Sequence, residues 1–230
     1  MKIIAEAGIN HNGELKLAKR LVNNSKEAGA DIVKFQTFFG IERLKRYELT
    51  EYEFVELKRY CDLVGIDFMS TPHTLDVIDF VDELVNIHKV ASPFLTNKEF
   101  LTRVADKHKP IILSVGSIKN KNGMATMKEI ETALSWIPNA DVTLMHCVSK
   151  YPCKYPHFER VEELKKFGKP VGVSDHSNKI ILPKVPVIEK HIMLPDIECI
   201  DSHVSLYPKR FALMVKYSRE GKYENICGFV

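Results

Sequence analysis

Val171–His191 reads VGVSDHSNKIILPKVPVIEKH. Two apolar runs in it stop on polar clusters. Val171-Gly172-Val173 leads into Ser174, Asp175 and His176, and Val185–Ile188 leads into Glu189, Lys190 and His191. A β-branched run that halts on a histidine reads as a buried strand presenting its last side chains at its C-terminal end. Two such strands in succession bring His176 and His191 together, and neutral imidazoles beside carboxylates suit a divalent cation. Two unrelated histidines at strand ends are the plainer alternative. That alternative fits one such residue better than a pair, each with an acidic neighbour. The segment between the runs, Ser177–Lys184, contains Pro183 and is followed by Pro186. A parallel crossover with its helix takes at least about 10–12 residues, so this one is expected to be reduced to a turn.

Outward from this stretch the same unit repeats. Strands are expected at Lys2–Ala7, Asp31–Thr37, Ile66–Met69, Ile87–Ala91, Pro110–Val115 and Val142–Val148. Helical spacing runs from Glu14 to Ala28, where Gly29 stops it. Further helices are expected from Thr50 to Leu63, Leu75 to Leu84, Asn97 to Lys107, Thr126 to Ile137, near Phe158–Phe167, and from Pro208 to Arg219. Thr50 with Glu53, and Thr126 with Glu129, have the spacing of capping boxes. Eight strands alternating with helices indicate an α/β fold, a (β/α)8 TIM barrel, with the crossover helix between strands 7 and 8 shortened or missing. No Gly-x-Gly-x-x-Gly follows the first strand, which argues against a dinucleotide fold. One domain, 1–230, is expected.

The composition agrees. At 230 residues and 45% hydrophobic content the chain can bury one core, near the lower limit of about 200 residues for this fold. A net charge of +3 with 27% charged residues, and no basic stripe with aromatics, speaks against nucleic acid as partner. Five cysteines without a Cys-x-x-Cys pair read as reduced thiols of a cytoplasmic protein. The sequence enters a strand at once, so no signal peptide is expected, and no run is long enough for a membrane span.

Catalytic groups of such barrels lie at the C-terminal strand ends. The residues expected there are Glu6, Lys34, Gln36, Thr71, Lys89, Ser92, Ser114, His146, Ser149, Tyr151, Ser174, Asp175, His176, Glu189 and His191. Lys34 and Lys89 fall on buried strands, where an unpaired charge is costly and an anionic ligand would pair it. Each could instead pair with a nearby glutamate. Ser92, Ser114 and Ser174 add hydroxyl donors suited to a phosphate or carboxylate.

The segments IIAEAGINHNG (3–13), AGADIVKFQT (28–37), GIDFMSTP (65–72), KVAS (89–92), KPIILSVG (109–116), LMHCVSKYP (144–152), GVSDHS (172–177) and VIEKH (187–191) together resemble the catalytic barrel of the sialic acid synthase (N-acetylneuraminate synthase) family. The resemblance implies metal-dependent condensation of phosphoenolpyruvate with an amino-sugar aldehyde, N-acetylmannosamine or its 6-phosphate, to a nonulosonic acid and phosphate. It implies His176 and His191 as metal ligands, for manganese first and magnesium or cobalt as alternatives. Lys34, Lys89, Ser92, Ser114 and Ser174 match phosphoenolpyruvate contacts, with Thr71 beside them. Gln36, Tyr151 and Asp201, with Glu6, match residues that hold the acceptor, and Ser149 stands where the family has asparagine. Glu6, Asp175 and Glu189 are the catalytic candidates. The family's C-terminal antifreeze-like domain has no counterpart in this sequence, its long segment after strand 2 is cut to Phe38–Leu49, and Ser117–Gly123 is inserted after strand 5. That insert is expected over the mouth, with Lys119 and Lys121 toward the acceptor. The shortened crossover leaves Ile180, Ile181 and Leu182 to cover only part of the last strands, so a homo-oligomer formed through that side is expected; the alternative is that neighbouring helices or the tail Tyr223–Val230 close the gap. Two alternatives stand beside this function: a synthase using another aldose phosphate, and a non-catalytic barrel binding a phospholigand or partner protein.

Overall fold

The structure is a computed structural model that describes residues 1–180 and 182–222. Strands and helices alternate as β1 (Lys2–Gly8), α1 (Leu15–Glu27), β2 (Ile32–Thr37), α2 (Glu51–Val64), β3 (Asp67–Pro72), α3 (Ile78–Leu84), β4 (His88–Val90), α4 (Lys98–Ala105), β5 (Ile111–Ser114), α5 (Met127–Trp136), β6 (Val142–His146), α6 (Arg160–Leu164), β7 (Val171–Asp175), β8 (Val187–His191) and α7 (Pro208–Arg219). All eight strands are parallel, in the order β3-β2-β1-β8-β7-β6-β5-β4. First and last strands pair from Lys2↔Val187 to Glu6↔His191, and β3 lies beside β4 at the remaining seam. This is a TIM barrel.

Local chemistry explains the element ends. Thr50 and Thr126 both form the expected capping boxes with Glu53 and Glu129, and Asn97 accepts from Phe100 N to start α4. Pro186 has no N–H for a ladder, so β8 begins at Val187, later than the apolar run suggests. Among the described residues no helix links β7 to β8. Ile180, Leu182 and Val185 are buried, so the connection itself partly closes the face a helix would cover. Ile181 and the tail Tyr223–Val230 lie outside the described residues. Among the described residues no helix is long and apolar enough to cross a membrane.

The barrel interior is filled in layers. Ile4, Ile32, Met69, Ile112 and Met145 form a plug, with Ile87 and Val187 packed against it. Gly172 lets it close, since a Cβ there would lie 2.7 Å from Val187 O and 3.0 Å from Met145 Sδ. Strand side chains alternate between faces, so the inward residues beyond the plug are Glu6, Lys34, Thr71, Lys89, Ser114, Ser174 and Glu189. An apolar floor thus carries a polar storey, and the helices pack on the outer face through a larger apolar cluster.

Glu129 also ties down the inserted loop. Its Oε2 accepts from Thr126 N at 2.6 Å and from Asn120 Nδ2 at 3.1 Å, and Asn120 Nδ2 also donates to Met124 O at 2.9 Å. Thr126→Ala is expected to destabilise the fold by about 1 kcal/mol through loss of the cap, read as a lower urea midpoint at unchanged slope.

Candidate active site

The polar storey opens into a cavity of about 330 Å³ at the C-terminal strand ends. Of the sixteen residues proposed from sequence, fourteen line it: Glu6, Lys34, Gln36, Thr71, Lys89, Ser92, Ser114, Ser149, Tyr151, Ser174, His176, Glu189, His191 and Asp201.

The exceptions are Asp175 and His146, and Asp175 shows why. It is the odd residue between Ser174 and His176, so the pleat turns it outward. There Lys190 Nζ lies 2.6 Å from its Oδ2, and Ser177 donates to its carboxylate through N at 3.0 Å and Oγ at 2.8 Å. Asp175, although next to His176 in the chain, therefore lies outside the cavity as part of a buried ion pair behind it. His146 is corrected for the same reason. Met145 and Cys147 face inward, while His146 Nε2 bonds Pro156 O at 2.7 Å. Asp175→Ala leaves Lys190 charged and 1% exposed, and is expected to cost about 3–5 kcal/mol in urea denaturation.

Two carboxylates share one lysine. Lys34 Nζ is 2.6 Å from Glu6 Oε2 and 3.7 Å from Glu189 Oε2, and it donates to Thr71 Oγ1 at 3.2 Å. Burial drives Glu6 up to about 7, with Lys34 opposing and the charge on Glu189 adding to the rise. Glu189 meets the same burial, but Lys34, Lys89 and a Ser174 hydroxyl 2.8 Å away outweigh it and hold it at about 2. Of the two carboxylates, Glu6 is therefore the one that takes up a proton more readily, and Glu189 the one that stays charged. Lys89 is placed differently. It donates to Ser114 Oγ at 2.6 Å and, among the described residues, has no carboxylate at ion-pair distance. Burial pushes its pKa down.

The imidazoles sit across the mouth with ring centroids 5.6 Å apart. His176 Nδ1 lies 2.8 Å from Val148 O. A carbonyl only accepts, so Nδ1 carries the hydrogen and Nε2 is left with its lone pair, which Tyr151 OH meets at 3.0 Å. His191 Nδ1 is buried without a hydrogen-bond partner, 3.5 Å from Asp201 Oδ2. Burial pushes His191 down to about 4 and lowers His176 as well, so both rings are neutral. Asn10 sets Asp201 in place: it donates to Ile192 O at 2.9 Å and accepts from Asp201 N at 3.4 Å. Among the described residues no three His, Cys, Asp or Glu side chains form a metal cage. The pair nonetheless fits a divalent ion, with one lone pair oriented by a carbonyl behind it and one orphaned nitrogen. The absence of a third strong ligand would keep coordination positions open.

His73 and Cys147 also line the cavity and were missed in the sequence. Each lies two residues beyond an inward neighbour, Thr71 or Met145, so the period of two was the available signal. Ile118 of the insert reaches the mouth, whereas Lys119 extends to Thr96 Oγ1 at 3.5 Å.

Fold and mouth together define a TIM-barrel enzyme. The chain belongs to the NeuB family, whose model matches residues 39–225. It is 35% identical over 233 residues to the N,N'-diacetyllegionaminic acid synthase of Legionella pneumophila, covering 84% of this chain and 64% of that protein. It is 29% identical over 253 residues to the human N-acetylneuraminate-9-phosphate synthase, covering 94% and 69%. Its backbone matches the solved N-acetylneuraminic acid synthetase of Leptospira borgpetersenii, in complex with citrate, with a TM-score of 0.87 at 32% identity, covering 99% and 87%. The chain thus spans about two thirds of the length of these two curated relatives.

Proposed function

We propose that this barrel condenses phosphoenolpyruvate with an amino-sugar aldehyde of the N-acetylmannosamine type, free or phosphorylated, and releases a nonulosonic acid and inorganic phosphate. The observation that carries this is the unequal pairing of the two buried lysines. Lys34 lies between Glu6 and an ionised Glu189 that balances its charge, whereas Lys89 faces the cavity with only a serine hydroxyl. A ligand bearing both phosphate and carboxylate supplies the missing negative charge.

Each group then has a part. Lys89, Lys34 and the hydroxyls of Ser92, Ser114 and Ser174 hold the phosphate and carboxylate, with Thr71 orienting Lys34. C3 of the enol attacks the aldehyde carbon, a C–C bond forms, and C2 becomes an oxocarbenium ion. Glu189, kept ionised, stabilises that cation or takes the proton of the water that adds to C2. The C–O bond to phosphate then breaks. Glu6, when protonated, can give its proton to the alkoxide that the aldehyde oxygen becomes, which makes the new hydroxyl, while Gln36, Tyr151, Ser149 and Asp201 hold the acceptor. His176 and His191 would hold a divalent cation, manganese first, that polarises the aldehyde oxygen. Phosphate release that requires phosphoenolpyruvate and an aldehyde together, stops on chelation and returns with Mn2+ supports this function. Phosphate release independent of any aldehyde counts against it.

A further inference from the structure

The outward face behind the two imidazoles holds a charge that the chemistry above does not use. β7 and β8 pair as Ser174↔Glu189 and Asp175↔Lys190, so Lys190 alternates between two inward residues, Glu189 and His191. Its ammonium is 1% exposed and bonds Asp175 Oδ2 at 2.6 Å, Asp175 O at 3.4 Å and the carbonyl of Ser177. Asp175 and Ser177 flank His176. The Asp175 carboxylate in turn accepts from Ser177 N and Oγ, which closes a turn around His176, and Cys153 N donates to His176 O at 2.8 Å.

We propose that Lys190 is a positioning residue for the cation site: it ties β8, one residue before His191, to both chain neighbours of His176, and so fixes the separation of the two rings. Two further facts support this. Among its described residues the connection that a crossover helix would stiffen here has no helix, which leaves the positioning of these strand ends to other contacts. A buried ion pair also gives little net stability compared with apolar residues of the same volume, so what it contributes is geometry. The metal readout of this proposal rests on the function proposed above, whereas the ring separation does not.

The test is the double variant Lys190→Met/Asp175→Asn. Methionine keeps the volume, asparagine keeps an acceptor for Ser177 N, and one charge of each sign is removed, so the net field at the site is unchanged. A melting temperature within about 4 °C of wild type is expected, because the pair leaves together. Mn2+ titrated into the protein alone, without substrate, is expected to bind at least about tenfold more weakly, as when an outer partner of a metal ligand is lost. A crystal structure of the variant is expected to show the rings displaced from their 5.6 Å separation by more than about 0.5 Å. Wild-type Mn2+ affinity with unmoved rings in a folded double variant overturns the proposal. If wild-type protein and His176→Ala both fail to bind Mn2+, the cation site itself is refuted, and displacement or constancy of the rings then decides the role of Lys190.

Discussion

His176→Ala is expected to lower turnover by about 10³-fold or more and to abolish Mn2+ binding while the barrel stays folded. Lewis-acid polarisation contributes several kcal/mol to the barrier, and each 1.4 kcal/mol or so is a factor of ten. The structural part of the loss is small. His176 sits at the mouth and gives up its hydrogen bonds to Val148 O and Tyr151 OH, which together account for about 2 kcal/mol of stability. Circular dichroism with a thermal melt reads the fold, and isothermal titration of Mn2+ reads the site. Substantial turnover in the folded variant returns His176 to a structural role.

The second large effect separates the two lysines. Lys89→Met is expected to weaken phosphoenolpyruvate binding by about 10²-fold or more, since a buried, charge-assisted contact to an anion accounts for roughly 2–5 kcal/mol. Without ligand the same variant is expected to be as stable as wild type or more so. Lys89 is 3% exposed and meets only a hydroxyl, so methionine removes an uncompensated charge. Lys34→Met has the opposite expectation. It leaves Glu6 and Glu189 facing each other without the ammonium between them, a loss of about 3–5 kcal/mol. Paired thermal melts of the two variants, with and without phosphoenolpyruvate, distinguish a lysine that waits for a ligand from one already paired. If Lys89→Met lowers the ligand-free melting temperature as much as Lys34→Met does, both lysines are structural.

The fold was legible because each strand carries its own boundary marks. Val171–Asp175 and Val187–His191 could be read from apolar runs ending in polar residues, and α2 and α5 from their capping boxes. The missing crossover helix followed from residue count and two prolines. The inward set was legible wherever the period of two was applied, as for Lys34 and Gln36. It failed where proximity in sequence replaced it: Asp175 and His146 adjoin inward residues and therefore face outward. The division of labour between Lys34 and Lys89 was not legible at all. Both are lysines on buried strands, and only the closed barrel shows that Glu6 and Glu189 stand beside the first and not the second. Asp201 comes from a loop far from any strand, and its placement by Asn10 depends on contacts across 191 positions of sequence.

Mass spectrometry of the reaction mixture tests the synthase function most directly. The protein is incubated with phosphoenolpyruvate, Mn2+ and a panel of aldoses that includes N-acetylmannosamine, its 6-phosphate and non-acetylated aldose phosphates. One acceptor is expected to give a product equal in mass to the acceptor plus phosphoenolpyruvate plus water minus phosphoric acid, formed in step with inorganic phosphate and absent from His176→Ala. Unchanged phosphoenolpyruvate and aldose across the whole panel, in protein that binds both Mn2+ and phosphoenolpyruvate, would contradict a synthase and leave a barrel that only binds its ligands.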